Sequence, residues 1–318
     1  MTLVLTRADL APVLTLADCL PVVEEAFRRH AEGGTTPPQS MGMHAPAGTY
    51  HIKAALADVF VAKINANFPE NPRRHQLPTI QGVIVVFDTE RGTPLAILDS
   101  ALITTLRTAA ATAVAAKYLS REDARTVTVI GCGLQGRASL EALRLVRPVA
   151  KVHAFDADAV SAANFAREMQ AVAGVSLEEA VADSDIVVTC TPSRAAILDA
   201  RHLHPGLFIA GVGADNPEKQ ELAPTLLAGS KVVVDILEQA EKMGDLHHAI
   251  AAGVLRREDV HGELGDVICG RVRARTRDDE IFVFDSTGTA LQDVVVGAVA
   301  YRRAREAGVG WEVEFGVR

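Results

Sequence analysis

Cysteine is scarce in this chain of 318 residues. The four present (Cys19, Cys132, Cys190 and Cys269) fall at no spacing that a zinc site or a disulfide framework uses. They are expected to act as small buried hydrophobes in a reducing compartment. Long apolar runs are missing too: no stretch reaches the roughly 18 to 20 uninterrupted apolar residues of a membrane-spanning helix. The first residues, Met1 to Leu10, carry Arg7 and Asp9 and lack the apolar core of a secretory signal. Positive charge is in deficit, with 32 basic against 40 acidic residues and a net charge of −8. A nucleic-acid partner would call for a basic stripe, so none is expected. The longest basic stretch, Arg271 to Arg277, alternates arginine with apolar or small residues and predicts an exposed strand. Histidine and cysteine form no cluster that suggests a metal, and no Ser-His-Asp or Cys-His pairing is recognisable by motif. His247 and His248 are expected on a solvated helix face. A soluble, cytoplasmic protein is expected.

The 48% apolar content is enough for two modest cores. Asp18 is placed to cap a helix through about Arg29, with Leu20, Val23 and Phe27 at helical spacing and Gly33-Gly34 ending it. Thr35 to Asn71 is irregular, with short extended pieces at 50–55 and 59–65. Residues 82–88 and 95–99 predict strands joined by a turn at Arg91-Gly92. A long alanine-rich helix follows at 104–119. Beyond Arg125 the pattern alternates strand and helix: strands at 126–130, 152–155, 186–190, 207–212, 232–236 and 280–284, helices at 134–146 and 159–173. The last helix is expected over 289–307. That rhythm predicts a parallel sheet covered on both faces.

Gly131-Cys132-Gly133-Leu134-Gln135-Gly136 directly follows the strand 126–130 and opens a helix. A G-x-G-x-x-G pattern alone is weak evidence, but here its structural context is present. Gly131 permits the tight turn, Gly133 lets the backbone approach a pyrophosphate, and Gly136 allows close helix–strand packing. The helix start holds the phosphates through its N–H groups and dipole. Asp156, 20 residues past Gly136 at the end of the second strand, would accept from the adenosine ribose and repel a 2′-phosphate. NAD is therefore expected over NADP. Thr191-Pro192-Ser193 follows another parallel strand, where this fold gathers ligand groups, although the pattern also fits an ordinary turn.

Several further motifs occur in order: Lys63 to Pro72 (KINANFPENP), Leu77 to Gly82 (LPTIQG), Leu106-Arg107-Thr108-Ala109-Ala110, Gly213 to Leu222 (GADNPEKQEL) and Val283 to Gly288 (VFDSTG). With the glycine turn they make the chain resemble the ornithine cyclodeaminase/mu-crystallin family over nearly its whole length. The resemblance implies an α/β fold: a Rossmann-type doubly wound parallel sheet plus a smaller α+β substrate-binding and dimerisation domain. It assigns residues 1–118 with 291–318 to the substrate domain and 119–290 to the dinucleotide domain. It also implies a homodimer formed through the first domain's sheet.

In that family Arg107 would clamp the α-carboxylate of an amino acid, since its planar fork can bind both oxygens. Lys63 occupies the motif-lysine position and would bind the carboxylate or relay a proton. A base role needs burial or a cationic neighbour such as Arg107 to weaken its hold on the proton. Asp215 matches an acidic residue that would stabilise the developing iminium, although Asp-Asn-Pro is also a common turn. Thr79 matches a polar contact near the substrate. Ser286 and Thr287 would lie near the nicotinamide, with a helix cap as their plainer role.

The chain departs from the family at two places. Gln39 or Ser40 stands where the family usually has an arginine, a second carboxylate clamp. His51 aligns with the glutamate of the cyclodeaminases, and Lys53 fills a position that is often Met. Cationic Lys53 and titratable His51 suit an acidic substrate arm better than an ornithine ammonium. An NAD-linked reductase or dehydrogenase interconverting a small neutral or acidic amino acid with its imine or keto acid is expected. A redox-neutral cyclodeaminase and a cofactor-binding protein without turnover are the alternatives.

Overall fold

The computed structural model describes residues 1–315. Residues 316–318, which the sequence places with the first domain, lie outside them. Two compact units divide the chain, one formed by Met1–Arg107 and the residues from Thr289 onward, the other by Thr108–Gly288. The sequence reading sets the boundaries at 118/119 and 290/291. The first division instead falls inside the helix Ser100–Leu119, between Arg107 and Thr108.

The first unit is built on a mixed sheet. Its strands are β1 (Thr2–Leu5), β2 (Gln39–Ala45), β3 (Gly48–Leu56), β4 (Val59–Asn67), β5 (Ile80–Asp88) and β6 (Pro94–Asp99), with a short last strand Trp311–Val313. In space the order is Trp311–Val313, β1, β6, β5, β4, β3, β2. The β2-to-β6 pairings are antiparallel and β1 runs parallel to β6. Alternation along β4 and β5 turns Val61, Ile84 and Val86 into the core, and the helix Ala290–Ala307 covers that face. A Cβ on Gly297 of this helix would sit 3.7 to 4.0 Å from Ile84, Val61 and Leu98, ordinary van der Waals contact, so helix and sheet pack here with room for a methyl group. The opposite face leaves Met41, Phe60, Ile64 and Val83 exposed. β2 lies in a stretch read as irregular, and all but its last residue are exposed, so no apolar alternation marks it.

The helix expected from Asp18 starts earlier, spanning Leu16–Ala31 with Thr15 as N-cap. Asp18 is the third helical residue, and its carboxylate accepts from the Thr15 N–H at 3.1 Å while the Thr15 hydroxyl accepts from the Asp18 N–H at 3.3 Å. The capping-box pattern T-x-x-D therefore explains both residues.

The second unit carries eight parallel strands: β7 (Thr126–Ile130), β8 (Lys151–Phe155), β9 (Val172–Ala173), β10 (Ile186–Thr189), β12 (Phe208–Gly211), β14 (Lys231–Val234), β15 (Gly262–Glu263) and β16 (Phe282–Asp285), while β11 (Arg194–Leu198) and β13 (Gln220–Leu222) pair separately. The order is β15, β14, β16, β12, β10, β7, β8, β9. Strands β10, β12 and β16 are buried at every position, which is why the sequence shows unbroken apolar runs there. The chain winds from β7 outward to β8 on one side and to β10 on the other. The loops after β7 and β10 therefore flank the point where strand order reverses, the usual ligand position of an open α/β sheet.

Residues 271–277 form no strand. Arg275 instead donates from Nε to the Leu119 carbonyl at 2.8 Å and from Nη2 to the Leu207 carbonyl at 3.3 Å, which also accepts from the Phe282 N–H at 3.1 Å. His247 and His248 lie on the helix Asp245–Ala251, half-buried. Their ring nitrogens meet the Glu241 and Lys219 carbonyls at 3.1 and 2.8 Å. They are tied to backbone rather than left to solvent.

Candidate functional site

In the second unit the glycine loop joins β7 to the helix Leu134–Arg144. Gly131 has φ of +98° with its Cβ position 2.8 Å from the Cys190 carbonyl, so only glycine passes there without strain. A Cβ on Gly136 would lie 2.3 Å from the Gly131 carbonyl oxygen, whereas one on Gly133 would meet nothing within 4 Å. Gly131 and Gly136 thus serve the fold, and Gly133 faces open space at the head of a helix that has no side-chain cap. Leu134 and Gln135 fill the first turn, Leu134 exposed and Gln135 reaching Ser139 Oγ at 3.3 Å. Arg137 donates to the Cys132 carbonyl and, at 3.1 Å, to the Gly133 carbonyl. The loop's oxygens are thereby engaged, and the helix start presents donors. This donor set fits the pyrophosphate of a dinucleotide.

Asp156 ends at this loop. Its Oδ2 accepts from the Cys132 N–H at 2.7 Å and its Oδ1 from the Asp158 N–H at 2.9 Å. The carboxylate is therefore fixed beside the glycine turn, with lone pairs remaining for a ribose hydroxyl. Thr191 and Pro192 lie past the end of β10. The Thr191 N–H and hydroxyl both donate to Glu221 Oε1, at 2.6 and 2.7 Å, while Glu221 Oε2 accepts from the Thr189 hydroxyl and the Gly213 N–H, each at 2.7 Å. One buried carboxylate thus ties together the loops after β10 and β12. Burial raises its pKa against these hydrogen bonds.

Asp215 follows on the second of those loops. Its Oδ1 lies 2.8 Å from Lys219 Nζ, and its side chain is 47% exposed. Asn216 Oδ1 accepts from the Glu218 and Lys219 N–H groups, so the Asp-Asn-Pro turn is present together with the ion pair. Ser286 and Thr287 follow β16. The Thr287 hydroxyl donates to Asp235 Oδ1 at 2.8 Å and the Gly288 N–H to Asp235 Oδ2 at 2.7 Å. They do not cap the next helix, a role Thr289 takes. Asp245 and Asp285 are buried nearby. Burial pushes the Asp285 carboxyl up to about 7 and Asp245 well above the ordinary range.

The first unit gathers the basic candidates. Antiparallel register sets Lys53 on β3 directly opposite Lys63 on β4 and opposite Ser40 on β2. Lys63 is 3% exposed and Lys53 8%. Lys63 Nζ lies 2.8 Å from Asp293 Oδ1 and 2.7 Å from Oδ2. Arg107 Nε lies 3.0 Å from Asp293 Oδ1, and its Nη1 donates to Gln292 Oε1 at 2.6 Å. Burial is the largest influence on Lys63 and lowers its pKa. Asp293 opposes that, Arg107 and Lys53 add to it, and the balance lies at about 7. Burial would raise the Asp293 carboxyl, but Lys63 and Arg107 outweigh it and hold it below its ordinary value.

Of the other first-unit candidates, His51 sits two residues before Lys53, its Nε2 3.0 Å from the Thr49 hydroxyl. Thr79 closes the loop around Asn71–His75, its carbonyl accepting from the Phe68 N–H at 2.8 Å. Gln39 is exposed and donates to the Pro37 carbonyl.

Sequence reasoning missed Gln292 and Asp293. A signal for them existed in the first turn of a helix whose other buried residues there are apolar, since an Asp and a Gln at 0% exposure require partners. Glu221, Arg137 and Lys219 were also missed. Among the described residues no group of three or more His, Cys, Asp or Glu is placed to hold a metal ion, and no helix is long and apolar enough to cross a membrane.

The profile of the ornithine cyclodeaminase/mu-crystallin family matches residues 1–308. Three solved structures are similar over almost the whole chain. An archaeal alanine dehydrogenase, a dimer with bound NAD, is 37% identical, with 99% of each chain covered and a TM-score of 0.96. The Thermococcus litoralis Delta(1)-pyrroline-2-carboxylate reductase in complex with NADH and L-proline is 30% identical, covering 98% of this chain and 100% of that one, with a TM-score of 0.95. The iminosuccinate reductase of Paracoccus denitrificans in complex with NAD+ is 31% identical, with 99% of each chain covered and a TM-score of 0.90.

Proposed function

This chain belongs to the ornithine cyclodeaminase/mu-crystallin family, and we propose that it is an NAD(H)-dependent reductase or dehydrogenase interconverting a small neutral or acidic L-amino acid with its imine or keto acid. The observation that carries the proposal is the buried pair of Lys63 and Arg107, both set on the single carboxylate of Asp293. A guanidinium fork and an ammonium held side by side form a donor set that suits a carboxylate ligand.

In this reading Arg107 and Lys63 take the substrate carboxylate. Lys63, whose pKa is about 7, can give or accept a proton near neutral pH. Asp215 accepts from the substrate nitrogen and stabilises positive charge as it grows there. Thr79 is a further polar contact. His51 and Lys53 face the substrate side chain and disfavour a distal ammonium, which argues against a cyclodeaminase. The backbone around Gly131, Gly133, Leu134, Gln135 and Gly136 holds the pyrophosphate, Asp156 the ribose of NAD in preference to NADP, and Thr191, Pro192, Ser286 and Thr287 the remainder. When bound, the nicotinamide gives or takes the hydride. The exposed apolar face around Met41, Phe60, Ile64 and Val83 is assigned to a second copy of the chain, and the cytoplasm is the proposed location. The archaeal relative is itself a dimer.

The test mixes the protein with NADH, ammonium and a panel of α-keto acids (glyoxylate, pyruvate and oxaloacetate among them), and separately with preformed cyclic imines. Stoichiometric loss of NADH absorbance with one member is expected. No oxidation with any member, together with ammonia release from ornithine without net cofactor use, would replace the proposal with a cyclodeaminase.

A further inference from the structure

Lys63 and Arg107 come from β4 and from the helix Ser100–Leu119, and each places a cation on the same buried carboxylate. That carboxylate belongs to the first turn of the helix Ala290–Ala307, where the helix dipole favours an anion. Lys63 and Asp293 are 230 residues apart in sequence, so the pairing is purely tertiary. Lys63, Arg107 and Asp293 are 3%, 6% and 0% exposed, which leaves little water to screen their charges.

Two side chains that share one substrate carboxylate must stand close together, yet two bare cations repel. We infer that Asp293 is the positioning residue of this clamp: its carboxylate holds Lys63 Nζ and Arg107 Nε side by side, and its charge keeps the proton on Lys63. The inference rests on the proposed role of Lys63 and Arg107 in taking an amino or imino acid, and it concerns how that site is kept in its working charge state. Gln292 supports the arrangement by accepting from Arg107 Nη1, which fixes the guanidinium's orientation.

The charged groups that bear on Lys63 divide cleanly. Arg107 and Lys53 drive its proton off, as does burial, and Asp293 holds the proton on. With Asp293 ionised, Lys63 titrates at about 7, so both its forms are present at neutral pH. The charged form binds a carboxylate and the neutral form can accept a proton from a substrate ammonium. Without the Asp293 charge, the neutral form would dominate and the clamp would lose one of its two cations.

Lysine labelled with 13C at Cε, followed by NMR through a pH titration, reads this directly and without turnover. The Lys63→Met variant assigns the Lys63 resonance. Asp293→Asn keeps the side-chain shape and removes the charge. Its Lys63 midpoint is expected to fall by about one pH unit or more, the ordinary effect of losing an adjacent opposite charge. A midpoint that stays in place or rises overturns the inference. Should the Asn variant not fold, Asp293→Ser, which leaves room for water, is titrated in its place under the same two outcomes.

A second arm uses whichever substrate the wild type turns over. In Asp293→Asn the inflection of kcat/KM against pH should move to lower pH and KM should rise roughly tenfold, the loss of one charge-assisted contact. A merely structural Asp293 would lower the melting temperature and leave the pH profile in place, which also overturns the inference. Failure of the wild type to turn over any amino, imino or keto acid would defeat the functional reading instead, while the NMR titration would still judge Asp293.

Discussion

Gly133→Ala separates cofactor binding from folding. The residue has φ of −80° and ψ of −163°, ordinary extended backbone that alanine adopts without strain. Its added methyl would meet no atom within 4 Å. Alanine is a poorer N-cap than glycine by up to about 1 kcal/mol, and the stiffer unfolded chain returns about 0.4–1 kcal/mol. The two nearly cancel, so the melting temperature should stay within about 4 °C of the wild type.

NADH affinity should respond differently. If Gly133 is where the backbone approaches a pyrophosphate, the methyl occupies that approach and at least one N–H contact to phosphate is lost. Such a contact is worth about 1.5–3 kcal/mol, which is roughly 10- to 150-fold in Kd. Gly136→Ala is the contrasting variant. Its Cβ would lie 2.3 Å from the Gly131 carbonyl oxygen and 2.9 Å from Val129 Cγ1, so overpacking of about 1–3 kcal/mol should appear in the melting curve first. The assay is titration of intrinsic NADH fluorescence alongside thermal melts of all three proteins. An unchanged Kd in Gly133→Ala with an unchanged melt would refute the assignment of this loop to the cofactor.

Two further predictions concern charge. Arg107→Lys keeps the charge and loses the planar fork that reaches Asp293 and Gln292 together, so kcat/KM should fall about 100-fold, mainly through KM; a change below about threefold in steady-state kinetics would remove Arg107 from the clamp. Asp285 has its folded pKa raised to about 7 from an unfolded value near 3.9, so it contributes stability fully below about pH 4 and loses it as pH rises through 7, by at most about 4 kcal/mol. Thermal melts from pH 5 to pH 8 should therefore fall more steeply for the wild type than for Asp285→Asn, and parallel curves would show that Asp285 is already ionised at pH 5.

The parts of this molecule that could be read from sequence are those whose cause is local. β7, β10 and β12 announce themselves because burial on both faces demands apolar residues at consecutive positions. The glycine loop is legible because Gly131 needs a positive φ and Gly136 a missing Cβ, both properties of single residues. Boundaries were less legible. Thr15 and Asp18 satisfy each other across one helical turn, and either alone looks like a cap. β2 is an exposed edge whose residues owe their strand conformation to pairing with β3, a cause that lies outside the segment.

The same distinction runs through the site. Lys63 and Arg107 stand in recognisable motifs, but the feature that makes them chemically unusual does not. Lys63 is set to about 7 by burial and by three charged neighbours, from β3, from the helix Ser100–Leu119 and from the helix Ala290–Ala307. Asp293 sits in a segment that sequence analysis treats as the start of an amphipathic helix, where an acidic residue is expected for reasons of dipole alone. Only the fold shows that it is buried beneath Lys63 rather than facing water. Residue types at motif positions therefore indicate which groups are present, whereas their protonation and spacing depend on partners brought together by tertiary structure.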